Sequence, residues 1–145
     1  MSERKHPGIP TTILPFLTVK DGAKAVQFYI DGFSAAEVVR CDGPDSKLIA
    51  KRSVGGAAFW VGDEQPEFDN CSPDTIGGSP VRIILEVDDP DTLFAAALNA
   101  GATQICPVTT EDSWRIGKLK DPFGHIWEIG HPWKNSSRRL PAATP

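Results

Sequence analysis

Val19-Lys20-Asp21 returns 68 residues later as Val87-Asp88-Asp89, and Ser34-Ala35-Ala36-Glu37-Val38 returns 67 residues later as Gly101-Ala102-Thr103-Gln104-Ile105. One residue slips between the two matches. In each copy an apolar run ends at the valine, an aspartate stands where a helix N-cap belongs, and an apolar helical face follows. Outward from the first copy, Ile13 to Val19 is rich in β-forming residues. Pro15 within it cannot donate to a ladder, so this run is an edge strand or the start of one. Beyond Asp21, Val26, Ile30 and Phe33 share one helix face, with Tyr29 beside it, and Gly32 and Ser34 end the helix. Three short strands follow near 37–41, 47–53 and 57–61, with Gly43, Pro44, Gly55 and Gly56 at their turns.

The second copy repeats the plan. Val81 to Val87 predicts a strand. Asp89-Pro90 joins an N-cap to a proline at the first helical position. Phe94, Ala97 and Leu98 form the buried helix face, and Gly101 caps it. Strands follow near 103–107, 114–120 and 125–129. The chain therefore reads as α+β: two βαβββ modules, at about 12–63 and 80–132. A linker at 64–79 connects them; Pro66, Pro73, Gly77 and Gly78 lie in it, and Pro80 follows. In each unit the helix covers one sheet face, and apolar residues on the other must also be buried. Two units facing each other predict a curved mixed sheet around a cavity. Residues 1–11 and 133–145 lack periodicity and read as flexible ends of one domain at 12–132.

Composition narrows the function classes. At 145 residues, 40% hydrophobic and 23% charged, the chain is of ordinary globular make-up. A formal net charge of −4 argues against a nucleic-acid partner, which would favour a basic face. The one basic cluster, Lys134 with Arg138 and Arg139, reads as a solvated tail. No apolar run approaches the roughly 20 residues of a membrane span, and the start MSERKHPGIP lacks the apolar stretch of a signal peptide. Cys41, Cys71 and Cys106 are odd in number and widely spaced, without a CxxC. That fits a reduced, cytoplasmic setting better than disulfides or a zinc site. Cys41 and Cys106 fall on expected strands and read as buried. The absence of a GxGxxG, P-loop, HExxH or nucleophile-elbow motif removes the commonest nucleotide, metalloprotease and hydrolase signatures. His6, His125 and His131 form no compact ligand cluster.

Three stretches carry a family resemblance. They are Phe16-Leu17-Thr18-Val19-Lys20-Asp21-Gly22-Ala23-Lys24-Ala25 leading into Phe28-Tyr29 and Phe33; Ser72-Pro73 through Gly77-Gly78-Ser79-Pro80-Val81; and Lys120-Asp121-Pro122-Phe123-Gly124-His125-Ile126-Trp127-Glu128. Together they resemble the PhnB-like branch of the vicinal-oxygen-chelate superfamily of glyoxalases, bleomycin-resistance proteins and dioxygenases, over about residues 12–132. Two departures stand out. Ser34 follows Phe33 where the branch usually has glycine, and Trp114-Arg115-Ile116-Gly117 keeps only part of the usual pattern. The resemblance implies the glyoxalase/bleomycin-resistance fold. It also implies a homodimer in which halves of two chains share a cavity, and a small-molecule ligand. The alternative it leaves open is a metal-dependent lyase, isomerase or dioxygenase. Read locally, Asp121-Pro122-Phe123-Gly124 is a tight hairpin turn, and His125 is a hydrogen-bonding anchor beside it.

Many relatives bind a divalent metal through His, Glu or Gln on the first and last strands of each module. Carried over, those positions fall near Leu14, at Phe59 or Trp60, at Arg82 and at Glu128. Only Glu128 is a metal ligand, whereas a catalytic zinc usually has three protein ligands, and Arg82 would repel a cation. The expectation is no complete metal site and no resident cofactor, with a divalent metal kept as the alternative. In its place we expect an arginine–carboxylate pair, Arg82 and Glu128, facing each other across the ladder. The plainer reading makes Glu128 an ordinary strand carboxylate unrelated to Arg82. Trp60, Trp114 and Trp127 sit on expected strands, either lining an apolar cavity for an aromatic ligand or packing a core or dimer interface. Arg115 reads as reaching a ligand's anionic or carbonyl group, or as a surface arginine. Glu86 shares a face with Arg82 and Ile84 and reads as solvent-facing, and Trp133 as packing for the chain end. The sequence names no catalytic residue.

Overall fold

The computed structural model describes residues 7–132. His6, Trp133 and the Lys134–Arg138–Arg139 cluster lie outside the described residues. The first module runs β1 (Phe16–Val19), α1 (Gly22–Phe33), β2 (Ala36–Asp42), β3 (Leu48–Val54) and β4 (Ala57–Asp63). After a linker containing α2 (Pro73–Ile76), the second runs β5 (Arg82–Glu86), α3 (Pro90–Ala100), β6 (Thr103–Glu111), β7 (Trp114–Lys120) and β8 (Ile126–Pro132). The strand orders are β1-β4-β3-β2 and β5-β8-β7-β6. In each sheet the first and last strands pair in parallel and the rest are antiparallel.

The local signals explain the boundaries. Asp21 accepts a hydrogen bond from the Lys24 amide at 3.1 Å and starts α1. Asp89 does the same for Thr92 at 3.2 Å, with Pro90 next in line. Ser34 closes α1 at φ 57°, in the left-handed region where glycine meets no steric penalty. This is the position where the branch pattern has glycine. β1 begins later than the apolar run suggests. Pro15 has no N–H to offer, but its carbonyl accepts from the Trp60 amide at 2.9 Å, so the chain joins the edge by its acceptor first. The linker is not wholly irregular, because Ser72 caps α2 by accepting from the Thr75 amide at 3.2 Å.

The core is one apolar cluster drawn from both modules. α1 packs on α3. Leu17, Val19, Phe59 and Val61 meet them from the first sheet, and Leu85, Leu119, Trp127 and Ile129 from the second. Trp127 lies 4.7 Å from Phe33 and 5.5 Å from Phe59, centroid to centroid, so its ring bridges the modules. Burying one such side chain contributes about 1.5–3 kcal/mol. The helices fill the space between the ladders. Each sheet's other face therefore looks outward, away from the core, and the hollow does not lie between the two sheets of one chain. No helix among the described residues is long and apolar enough to cross a membrane.

Candidate functional site: the outward sheet faces

Strand register decides which residues share these faces. In the first sheet Phe16 is paired with Trp60, and Trp60 with Lys51. The Phe16 and Trp60 rings are nearly parallel, 7° apart with centroids 6.5 Å apart, and Lys51 Nζ lies 5.7 Å from the Trp60 centroid. Such a flat surface edged by a cation suits stacking and cation–π contact. In the second sheet the matching pairs are Ile84 with Glu128 and Glu128 with Lys118. The repeat thus places Phe16 over Ile84, Trp60 over Glu128 and Lys51 over Lys118.

Arg82 Nε stands 2.8 Å from Glu128 Oε2, and Lys118 Nζ stands 3.8 Å from the same oxygen. Glu128 is only 17% exposed, whereas Arg82 is 60% exposed. The expected pair is present, with a corrected geometry. Arg82 is registered with Ile126, not Glu128, so the two meet along a diagonal between parallel neighbours. Beside them lies a shallow cavity of about 400 Å³ lined by Ile84, Ile116, Trp114 and Glu128, with Glu111, Asp112 and Ser113 at the β6–β7 turn.

Two expected site residues belong elsewhere. Trp127 is 2% exposed and buried in the inter-module core, with its Nε1–H donating to Asp121 at 3.0 Å. Arg115 is turned to the helix side, where Nε and Nη2 each donate to Asp91 at 2.7 Å and Nη1 donates to Thr110. The Arg115 guanidinium holds the Asp91 carboxyl below its ordinary pKa. The reason is common to both. Adjacent residues of a strand point to opposite faces, so Trp127 cannot join Glu128, nor Arg115 join Trp114. Leu14 precedes β1 and enters no ladder. Cys41 and Cys106, expected to be buried, are exposed, because β2 and β6 are the outermost strands of their sheets. Phe16, Lys51, Ile84 and Lys118 escaped the sequence reading, although the repeat's offset aligns Lys51 with Lys118.

The Asp-Pro-Phe-Gly turn is structural. Asp121, 2% exposed, accepts from Tyr29 Oη at 2.5 Å, Trp127 Nε1 at 3.0 Å, and the amides of Phe123 and His125 at 2.9 and 3.0 Å. Burial, then the Asp121 charge, raises the Tyr29 pKa well above 10.0. Gly124 sits at φ 96°, and a Cβ there would come within 2.6 Å of Pro73 Cβ. The turn therefore locks onto the linker helix. His125 Nε2 bonds the Thr18 carbonyl at 2.8 Å, tying β8's entry to the first module as an anchor.

A family model described as the Glyoxalase/Bleomycin resistance protein/Dioxygenase superfamily matches residues 9–129. The chain belongs to this superfamily. Its relatives include the uncharacterized protein Mb0911c of Mycobacterium bovis, 39% identical over 130 residues, covering 86% of this chain and 85% of that protein. A gene product from Arabidopsis thaliana superposes with a TM-score of 0.61 at 27% identity, covering 85% of this chain and 98% of its own. A mutant of the fosfomycin resistance protein FosX from Listeria monocytogenes, complexed with Mn(II) and a dihydroxypropylphosphonic acid, shares the fold. Its TM-score is 0.66 at 14% identity, covering 91% of this chain and 100% of its own.

Many members of the superfamily bind a divalent metal, and the side chains at the positions carried over from them do not supply a donor set for one. Leu14 and Trp60 carry no metal-binding donor, Arg82 brings a cation, and Glu128 already faces two cations. Among the described residues no three His, Cys, Asp or Glu side chains converge on a point.

Proposed function

We propose that this superfamily member is a small-molecule-binding protein that receives its ligand on the outward sheet faces, without a complete metal site and without a resident cofactor. One observation carries the reading. The outward face of the first sheet presents Phe16 with Trp60, and that of the second presents Ile84 and Trp114 beside the Arg82–Glu128 ion pair. Apolar walls with a few placed polar groups are what a small-molecule site requires. Trp60, Trp114, Arg82 and Glu128 are the contact residues on this reading.

The same faces argue for a homodimer. β1 and β5 are free edges, and each face leaves large apolar groups in solvent: Phe16 is 49% and Ile84 55% exposed. Pairing with a second copy along these edges would enclose the faces as walls of a shared cavity. The exposed cysteines, all free, accord with a reducing cytoplasmic location.

The test joins metal analysis to tryptophan fluorescence. Purified protein is expected to hold no stoichiometric Zn, Ni, Mn or Fe, and planar aromatic compounds are expected to quench fluorescence saturably, with the response reduced in Trp60→Leu and Trp114→Leu. Stoichiometric metal that survives chelation would instead establish the metal-dependent lyase, isomerase or dioxygenase. Sedimentation showing only monomer at micromolar concentration removes the dimer.

A further inference from the structure

The second module's outward face is electrically two-ended. At one end stand Arg82 and Lys118, two cations around the single carboxylate of Glu128. Lys120, next on the same alternation of β7, is exposed beyond them. At the other end stand Glu111 and Asp112, flanking Trp114 at the cavity rim. Glu86, paired with Gly130, adds a third carboxylate toward the same end of the sheet, in a neighbouring hollow. Ile84 and Ile116 form the apolar stretch between. Lys118 lies four residue steps along β7 from Trp114, roughly 13 Å at about 3.3 Å per step.

The negative end lacks internal compensation. Arg115, its nearest cation in sequence, points to the opposite face and is held by Asp91. Among the described residues Glu86 and Asp112 enter no ion pair, and Glu111 accepts only from the Thr109 hydroxyl, at 3.2 Å. Carboxylates beside an apolar wall and an indole ring favour an organic ammonium, whose charge the ring face also attracts. The positive end favours an anion, which Arg and Lys can hydrogen-bond.

We propose that this face binds a zwitterionic small molecule with an apolar spacer: its ammonium end at Glu111 and Asp112 over Trp114, its carboxylate end at Lys118 and Arg82. This rests on the outward faces being the ligand site. A molecule carrying one charge satisfies one end only, and a neutral molecule neither.

Isothermal titration calorimetry at low salt with ω-aminooctanoate, octanoate and octylamine tests it. The neutral aromatic N-phenyl-1-naphthylamine, followed by fluorescence, serves as the control for the face itself. The zwitterion is expected to bind about fivefold tighter than either singly charged probe, the size of one partly exposed charge contact. In the double variant Glu111→Gln, Asp112→Asn its affinity falls about fivefold while octanoate binding holds. Asparagine tolerates the φ of 47° at position 112, so the turn survives. Lys118→Gln is expected to weaken octanoate and the zwitterion but not octylamine. Equal affinity for the three alkyl probes with normal binding of N-phenyl-1-naphthylamine overturns the zwitterion and leaves the binding reading intact. Failure of all four probes overturns both. A dimer whose mass is stable while the alkyl probes alone stay silent assigns this face to a second copy, and likewise overturns the proposal.

Discussion

The two modules share one backbone plan and diverge in what they show to solvent. At matched positions of the ladders the first carries Phe16, Trp60 and Lys51, and the second carries Ile84, Glu128 and Lys118. The first is an aromatic plate edged by a cation, and the second an apolar strip with a charge cluster. Toward the core the modules are alike, each burying aliphatic and aromatic residues against its helix. Duplication thus constrains the inward faces, where packing is dense and substitution is costly. It leaves the outward faces free to specialise. The hairpins differ in the same way. β3–β4 turns on Gly55-Gly56, with both φ positive at 57° and 92°. β7–β8 turns on a buried aspartate that gathers groups from α1, β8 and its own loop.

The sharpest way to break the comparison is to cut the same side chain on each face. Trp127→Ala removes a core ring that touches both modules and is expected to cost about 3–5 kcal/mol. Trp60→Ala, on the outward face, is expected to cost under about 1 kcal/mol. Chemical denaturation measures both, and equal losses would mean that Trp60 is buried in the assembled protein.

Asp121→Ala comes next. It strands the Tyr29 hydroxyl, the Trp127 N–H and two amides, and an expected loss of about 2–4 kcal/mol follows from unsatisfied buried donors. Gly55→Ala at the other hairpin meets no neighbouring atom within 4 Å and suffers only from its left-handed φ, about 1 kcal/mol. The melting temperatures should rank accordingly.

Tyr29 supplies a pH test, and it is the sole tyrosine of the chain. Its folded pKa lies well above 10.0, so the folded state retains the proton longer than the unfolded state does. That contribution to stability is complete below pH 10 and is lost as the pH rises from there toward the folded pKa. Tyrosinate absorbance should stay flat through pH 10.5 in native protein and appear on unfolding. Early titration would place Tyr29 in solvent. Tyr29→Phe should flatten the alkaline loss of stability.

The smallest effect is expected at the Arg82–Glu128 pair. A double-mutant cycle with Arg82→Met and Glu128→Gln should give a coupling of about 0.2–1 kcal/mol, since Arg82 is largely solvated. A coupling several times larger would show that a second copy encloses it.

Much of the architecture was legible because its signals are local. Asp21, Asp89, Pro90 and Gly101 mark helix ends by hydrogen-bond chemistry confined to one turn. The 68-residue echo of Val19-Lys20-Asp21 announces the duplication. Glu128 beside Arg82 followed from the family pattern together with strand adjacency. Cys41 and Cys106 were misread because β2 and β6 end their sheets and are exposed on both faces, whereas the errors at Trp127 and Arg115 have a different origin. Each depends on which side of a strand faces the core, and a shift of one residue in register inverts that answer.

By itself the sequence determined the order of elements and their caps and turns, because residue type and short-range geometry suffice for these. Only the tertiary structure decided that α1 and α3 pack together between the sheets, which turned Trp127 inward and left Trp60, Trp114 and Glu128 facing out. The physical reason is that an amphipathic sheet can bury either face. The choice depends on which apolar surfaces, distant in the chain, meet and exclude water together.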